Sequence, residues 1–91
     1  MLPVIWSHAA RADLTNIVEY IAERSPSAAL TLRDALIRAA AKLPQHPLLY
    51  RPGRVANTRE LVVHKNYILV YEIHNAEIRV HGVLHARQQY P

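Results

Sequence analysis

The stretch RELVVHKNYILVYEIHNAEIRVHGVLHA, Arg59 to Ala86, decides how this chain folds. It divides into three runs, RELVV (Arg59 to Val63), YILVYEI (Tyr67 to Ile73) and EIRVHGVLHA (Glu77 to Ala86). Each is dense in β-branched, aliphatic or aromatic residues, which suit a pleated, half-buried surface. The connections HKN and HNA are short, so the runs predict an antiparallel meander. In the third run Ile78, Val80, Leu84 and Ala86 fall on one face with Gly82, while Arg79, His81, Val83, His85 and Arg87 share the other. The first of these faces reads as core. A bulge at Gly82 would reassign the faces beyond it.

Upstream of this stretch the pattern turns helical. PVIW, Pro3 to Trp6, is a short strand-type run, and Ser7 behind it is a good N-cap for a first helix. Counted from Ala10, the apolar residues Leu14, Ile17, Val18 and Ile21 recur at 4, 7, 8 and 11 positions, one buried stripe of an α-helix. Ser25-Pro26 closes that helix and opens a second, with serine as the cap and proline where a missing N–H is no loss. Ala29, Leu32, Leu36, Ala39 and Leu43 keep helical spacing, and the alanines around them let a neighbouring helix approach closely. From Pro44 to Thr58, PQHPLLYRPGRVANT carries three prolines and a glycine, which exclude a long regular element. Leu48, Leu49 and Tyr50 are expected to pin this loop to the core. The fold class is therefore α+β in the order β-α-α-β-β-β, a helical hairpin packed on a small antiparallel sheet whose other face is left for water or a partner.

A chain of 91 residues is expected to form one domain, residues 1–91, because two cores could not each bury enough apolar surface to offset the ordering of the chain. With 51% hydrophobic and 20% charged residues, the composition excludes an intrinsically disordered regulator. Cysteine is absent, which removes disulfides and thiolate metal sites and makes a cytoplasmic location the default. The N-terminus lacks a basic start followed by a long apolar stretch, and no run approaches the roughly 18 apolar residues of a membrane span. Neither export nor membrane insertion is expected. The net charge is +4, and its excess is uneven: Arg38, Lys42, Arg51, Arg54 and Arg59 follow one another with no acidic residue between Asp34 and Glu60. Such a stretch suits nucleic acid or an acidic protein, and suits a merely solvated surface equally well.

Six histidines raise the question of a metal, and spacing answers against one. His81 and His85, four apart on a strand rising about 3.3 Å per residue, stand roughly 13 Å from each other, too far to share an ion. No HExxH helix, GxSxG elbow or glycine-rich phosphate loop is present, and Ser7, Ser25 and Ser27 are explained as helix caps. What remains is the closing stretch VLHARQQYP, Val83 to Pro91. A metal-free ribonuclease needs a general base, a cation for the charged phosphorane and an acid for the leaving oxygen. His85 is a candidate base or acid, Arg87 and Arg59 candidate phosphate clamps, Lys65 a further cation, and Tyr90 a stacking platform or acid. The plainer alternative makes His85 and Arg87 ordinary strand-end residues, with Arg87 paired to a carboxylate such as Glu60 or Glu72.

With these residues in view, the whole chain resembles the RelE/ParE superfamily of toxins from bacterial type II toxin-antitoxin modules. The resemblance rests on VIWSHAARADLTNIVEYIA, on GRVANTRELVVHKNYILVYEI and on IRVHGVLHARQQYP, in the same order of elements and over essentially all 91 residues. It implies a growth-inhibiting toxin of the kind that stabilises plasmids, active without a cofactor or metal and held in a hetero-oligomer by a cognate antitoxin. Such antitoxins wrap the toxin with a partly disordered, often acidic segment, which suits a basic chain. One branch of the superfamily cleaves messenger RNA on the ribosome; the other inhibits DNA gyrase. In the nuclease branch an arginine lies inside the strand motif that reads YILVY here, where this chain has Ile68, and VLH at Val83 to His85 resembles the gyrase-directed branch. The resemblance therefore implies a ParE-like gyrase inhibitor, with Arg51, Arg54, Arg59 and Lys65 as target-binding residues. The alternatives are a RelE-like ribosome-dependent endonuclease using His85, Arg87 and Tyr90, and a decayed toxin that only binds its antitoxin.

Overall fold

In the computed structural model, which describes all 91 residues, the meander forms with boundaries close to those expected. The elements are β1 (Val4–Trp6), α1 (His8–Ala22), α2 (Pro26–Ala41), β2 (Arg51–Pro52), β3 (Thr58–His64), β4 (Tyr67–Ile73) and β5 (Ile78–His85), with a short 3-10 turn at Leu43–Gln45. The sheet order is β1-β5-β4-β3-β2. The pairs β2–β3, β3–β4 and β4–β5 are antiparallel, and β1 adds to the edge of β5 in parallel, so the sheet is mixed. A parallel pair needs a crossover, and here the connection from β1 to β5 runs through both helices and the strands β2, β3 and β4. The two-residue β2 inside the proline-rich loop was not expected. Its pairing needs a tight return, and a Cβ on Gly53 would run into Thr58 Oγ1 there.

Both helices begin where local chemistry dictates. The Ser7 hydroxyl accepts from Ala10 N at 3.0 Å and the Ser25 hydroxyl from Ala28 N at 3.2 Å, each satisfying one of the N–H groups a helix leaves unpaired. Ser7 also joins the helix to the sheet: its N–H donates to Val80 O and its hydroxyl to His81 O. The helices bury one stripe against the sheet. Ala10, Leu32, Leu36 and Ala40 meet Tyr67, Leu69, Val80 and Val83, with Leu14, Ile17 and Ile21 packed around them. Ala40 rather than Ala39 is the fully buried alanine of this turn, and Leu43 leaves α2 to join Tyr71 and Ile78 in a second cluster.

Three expectations are corrected here. Leu48 and Leu49 do not pin the loop: they are 70% and 69% exposed, and only Tyr50 turns inward, edge-on to Tyr71. The loop is held by polar bonds, since Arg59 donates to Tyr50 O at 2.8 Å and the Tyr71 hydroxyl to Pro47 O at 2.6 Å. Secondly, the face assignment fails past Gly82. Tyr71 pairs with Val80 but Val70 with Gly82, so His81 is an extra residue in β5 and the strand bulges. Val83 thereby joins the helix-facing core, while Leu84 pairs with Ile68 on the back of the sheet. Thirdly, that back face is not left open at its centre, where Ile68, Val70 and Leu84 are all buried.

Candidate functional site

The bulge decides where His85 stands. With the register advanced by one residue, His85 pairs with Tyr67, its ring edge-on to the Tyr67 ring at 5.4 Å between centroids. It lines an open groove of about 620 Å³ between α1 and the far end of the sheet, together with Asp13, Asn16, Tyr20, Asn66 and Gln88. The bulged strand is fixed to α1 by Asp13, whose Oδ2 accepts from Val83 N at 3.0 Å. Gly82 leaves room for that carboxylate, since a Cβ there would stand 3.0 Å from the same oxygen. The turn after β5 is closed by His85 itself, whose Nδ1 accepts from Arg87 N at 3.1 Å. That bond puts the imidazole proton on Nε2, leaving one ring nitrogen for chemistry.

The other candidate residues separate into three places. Arg87, exposed, follows His85, and Lys65 lies in the β3–β4 turn beside Asn66, whose carbonyl accepts from Ala86 N at 2.7 Å. These two cations share the His85 end of the sheet. Arg59 does not. It pairs with Tyr71, four residues along β4 from the partner of His85, or about 13 Å of strand. Its guanidinium is committed to the carbonyls of Leu48 and Tyr50. Arg51 and Arg54 both pair with Glu60, which is 3% exposed on the back face and cancels one of their two charges: Arg51 Nη2 approaches Oε1 at 2.9 Å, and Arg54 Nε approaches Oε2 at 3.4 Å. Arg54 also reaches the carbonyls of Gln88 and Tyr90 at 3.4 Å, tying the C-terminal segment beside that pair. Arg87 takes neither Glu60 nor Glu72 as an ion-pair partner.

Glu72 has partners that sequence reasoning missed. His81, thrown out by the bulge, places Nε2 2.7 Å from Glu72 Oε1, and His74 Nε2 lies 3.4 Å from Oε2. An ionised carboxylate only accepts, so His81 Nε2 carries the shared proton. That hydrogen bond, with the charges of His74, His81 and Arg79, holds the Glu72 carboxyl below the usual carboxylate range against the opposing effect of burial. The signal was present in the HNA turn, because antiparallel pairing across it sets Glu72 opposite Arg79 and next to His81. Counting His81 against His85 along one strand looked for the partner in the wrong direction.

Comparison with known proteins agrees with this architecture. The family model described as "ParE toxin of type II toxin-antitoxin system, parDE" matches residues 4–90. Toxin RelE2 of Caulobacter vibrioides is 36% identical over 88 residues, covering 94% of this chain and 97% of that protein. Toxin RelE3 of the same organism is 31% identical over 83 residues, covering 88% and 89%. Among solved structures, the chromosomal ParDE system of P. aeruginosa superimposes with a TM-score of 0.82 at 22% identity over 93% of this chain and 96% of that one. YafQ of E. coli gives 0.64 at 15% identity, over 94% of each chain. With the family match reaching from β1 to the residue before the last, the chain belongs to the ParE toxins of type II toxin-antitoxin systems.

Proposed function

We propose that this toxin arrests growth by acting on DNA gyrase, without cleaving RNA, until a cognate antitoxin neutralises it in the cytoplasm. The observation that carries the reading is Ile68, 3% exposed and paired with Leu84 in the back face of the sheet. A phosphate-contacting arginine belongs at that position in the nuclease branch. The surrounding arginines do not take that place, since Arg59 holds a loop and Arg51 and Arg54 are both engaged by Glu60. On this reading Arg87, Lys65 and the groove beside His85 are the surface offered to the target, while the Tyr90 carbonyl is held by Arg54 beside Glu60.

A short induction of the toxin, followed in parallel by pulse-labelled protein synthesis and by reporter-plasmid supercoiling, tests this. Supercoiling is expected to fall first and translation later, with co-expression of the adjacent antitoxin restoring growth. Translation stopping within minutes while supercoiling stays intact would reverse the assignment. A second reading, ribosome-dependent cleavage, is favoured by the meeting of His85, Arg87 and Lys65 at one end of the sheet. It requires that replacing all three by alanine abolish toxicity through loss of mRNA cleavage, with the chain still folded.

A further inference from the structure

Beyond the toxin surface, the Glu72, His74 and His81 side chains form a cluster that nothing in the proposed activity uses. A carboxylate oxygen and one nitrogen from each imidazole all lie within 4.8 Å of one another, and the three residues are half-buried. They come from two strands. Glu72 lies near the end of β4, His74 just past it, and His81 is the bulged residue of β5. His74 Nε2 is shielded from solvent, yet it has no hydrogen-bond partner although a carboxylate oxygen stands 3.4 Å away. A buried polar atom without a partner is costly, and here it points towards two other donors of metal-ligand type.

We propose that Glu72, His74 and His81 bind one divalent transition-metal ion of the zinc class. Two imidazole nitrogens and one carboxylate oxygen suit zinc, with water as a fourth ligand. Ligands about 2.1 Å from a tetrahedral ion stand about 3.4 Å apart. The separation of His74 Nε2 from Glu72 Oε2 already has that value, at 3.4 Å. His81 would exchange its shared proton for the metal, and Glu72 would move from bonding that proton to bonding the ion. Arg79, the cation across the strand pair from Glu72, acts on it by charge without bonding it: its Nε is bonded to Glu77 at 2.9 Å. Bound there, the ion would link the end of β4 to the bulge of β5 and stabilise the register that places His85.

The test is titration of zinc chloride into the purified full chain in metal-free buffer, read by calorimetry, by thermal unfolding and, with cobalt in place of zinc, by visible absorption. One ion per chain, a rise in Tm of about 5 °C or more at saturating zinc, and a tetrahedral cobalt spectrum are expected. His74→Ala and His81→Ala should each weaken binding at least about tenfold, whereas the His8→Ala, His46→Ala double variant should bind as the parent does. Should His81→Ala fail to fold, Glu72→Gln keeps an acceptor for His81 while removing the anionic ligand, and it too should bind at least about tenfold more weakly. Absence of saturable binding, or affinity unchanged in His74→Ala and Glu72→Gln, or affinity lost in the His8 and His46 variant, would overturn the proposal.

Discussion

Tyr71 is completely buried between the α2 side of the sheet and the proline-rich loop, with its hydroxyl donating to Pro47 O at 2.6 Å. Burial pushes the phenol pKa up, while the nearby Arg59 partly offsets the rise. A phenol whose folded pKa lies above its unfolded value of about 10 keeps its proton after the unfolded chain has lost it. The stability that follows is intact below about pH 10 and declines as pH climbs towards the folded value. Tyr71→Phe should therefore cost about 1 kcal/mol at pH 8, from the lost hydrogen bond and the stranded carbonyl. It should also flatten the alkaline decline. Urea midpoints at pH 8 and above pH 10 measure both effects, and an alkaline slope equal to the parent's would refute the account of Tyr71. Nothing in the sequence separated this tyrosine from Tyr67 four residues earlier, since both read simply as apolar strand positions.

Among the elements, the helices and the three long strands were legible because each carries its own period and its own stop. Ser7 and Ser25 announce helices, and the short HKN and HNA connections permit only hairpins. What could not be read was the effect of one extra residue. The alternation of Ile78 and Val80 with Arg79 and His81 continues smoothly across Gly82 in sequence, but the bulge at His81 turns Val83 to the helices and Leu84 to the back. The bulge is held from another element altogether, through Asp13 of α1. Asp13→Ala should cost about 1–3 kcal/mol by leaving Val83 N without a partner, and Gly82→Ala should destabilise by crowding the same carboxylate at 3.0 Å. Because one change relieves the cause of the other, the double variant should be more stable than the sum of the two single losses implies. Strict additivity in denaturant unfolding would mean that the two residues do not share this contact.

Across the whole molecule, the division between core and surface was only partly visible. The basic stretch from Arg38 to Arg59 reads in sequence as a continuous positive field. In space it is divided, because a single buried carboxylate, Glu60, draws in Arg51 and Arg54, while Arg59 is turned onto loop carbonyls. Long-range pairing of this kind leaves no local trace. The same holds for Leu48 and Leu49, which are apolar in sequence and exposed in the fold. Since neither contributes to the core, the Leu48→Ala, Leu49→Ala double variant should keep its thermal stability to within about 0.5 kcal/mol per site, as read by thermal unfolding. A loss of several kcal/mol would show that the loop is an anchor after all.

The parallel pairing of β1 with β5 has a consequence for how the chain is made. β1 pairs only with β5, Val4 standing opposite Ile78 and Pro3 O accepting from Ile78 N, and Ser7 bonds to the sheet only at Val80 and His81, 73 and 74 residues later in the chain. While the ribosome is still adding the meander, β1 has no partner strand, so the sheet cannot close on the nascent chain before β5 has cleared the exit tunnel. Contacts between such distant segments are also slow to form, because the loop they close must be ordered first. Each newly synthesised toxin molecule therefore passes through an interval in which its translation is well advanced and its sheet is not yet complete.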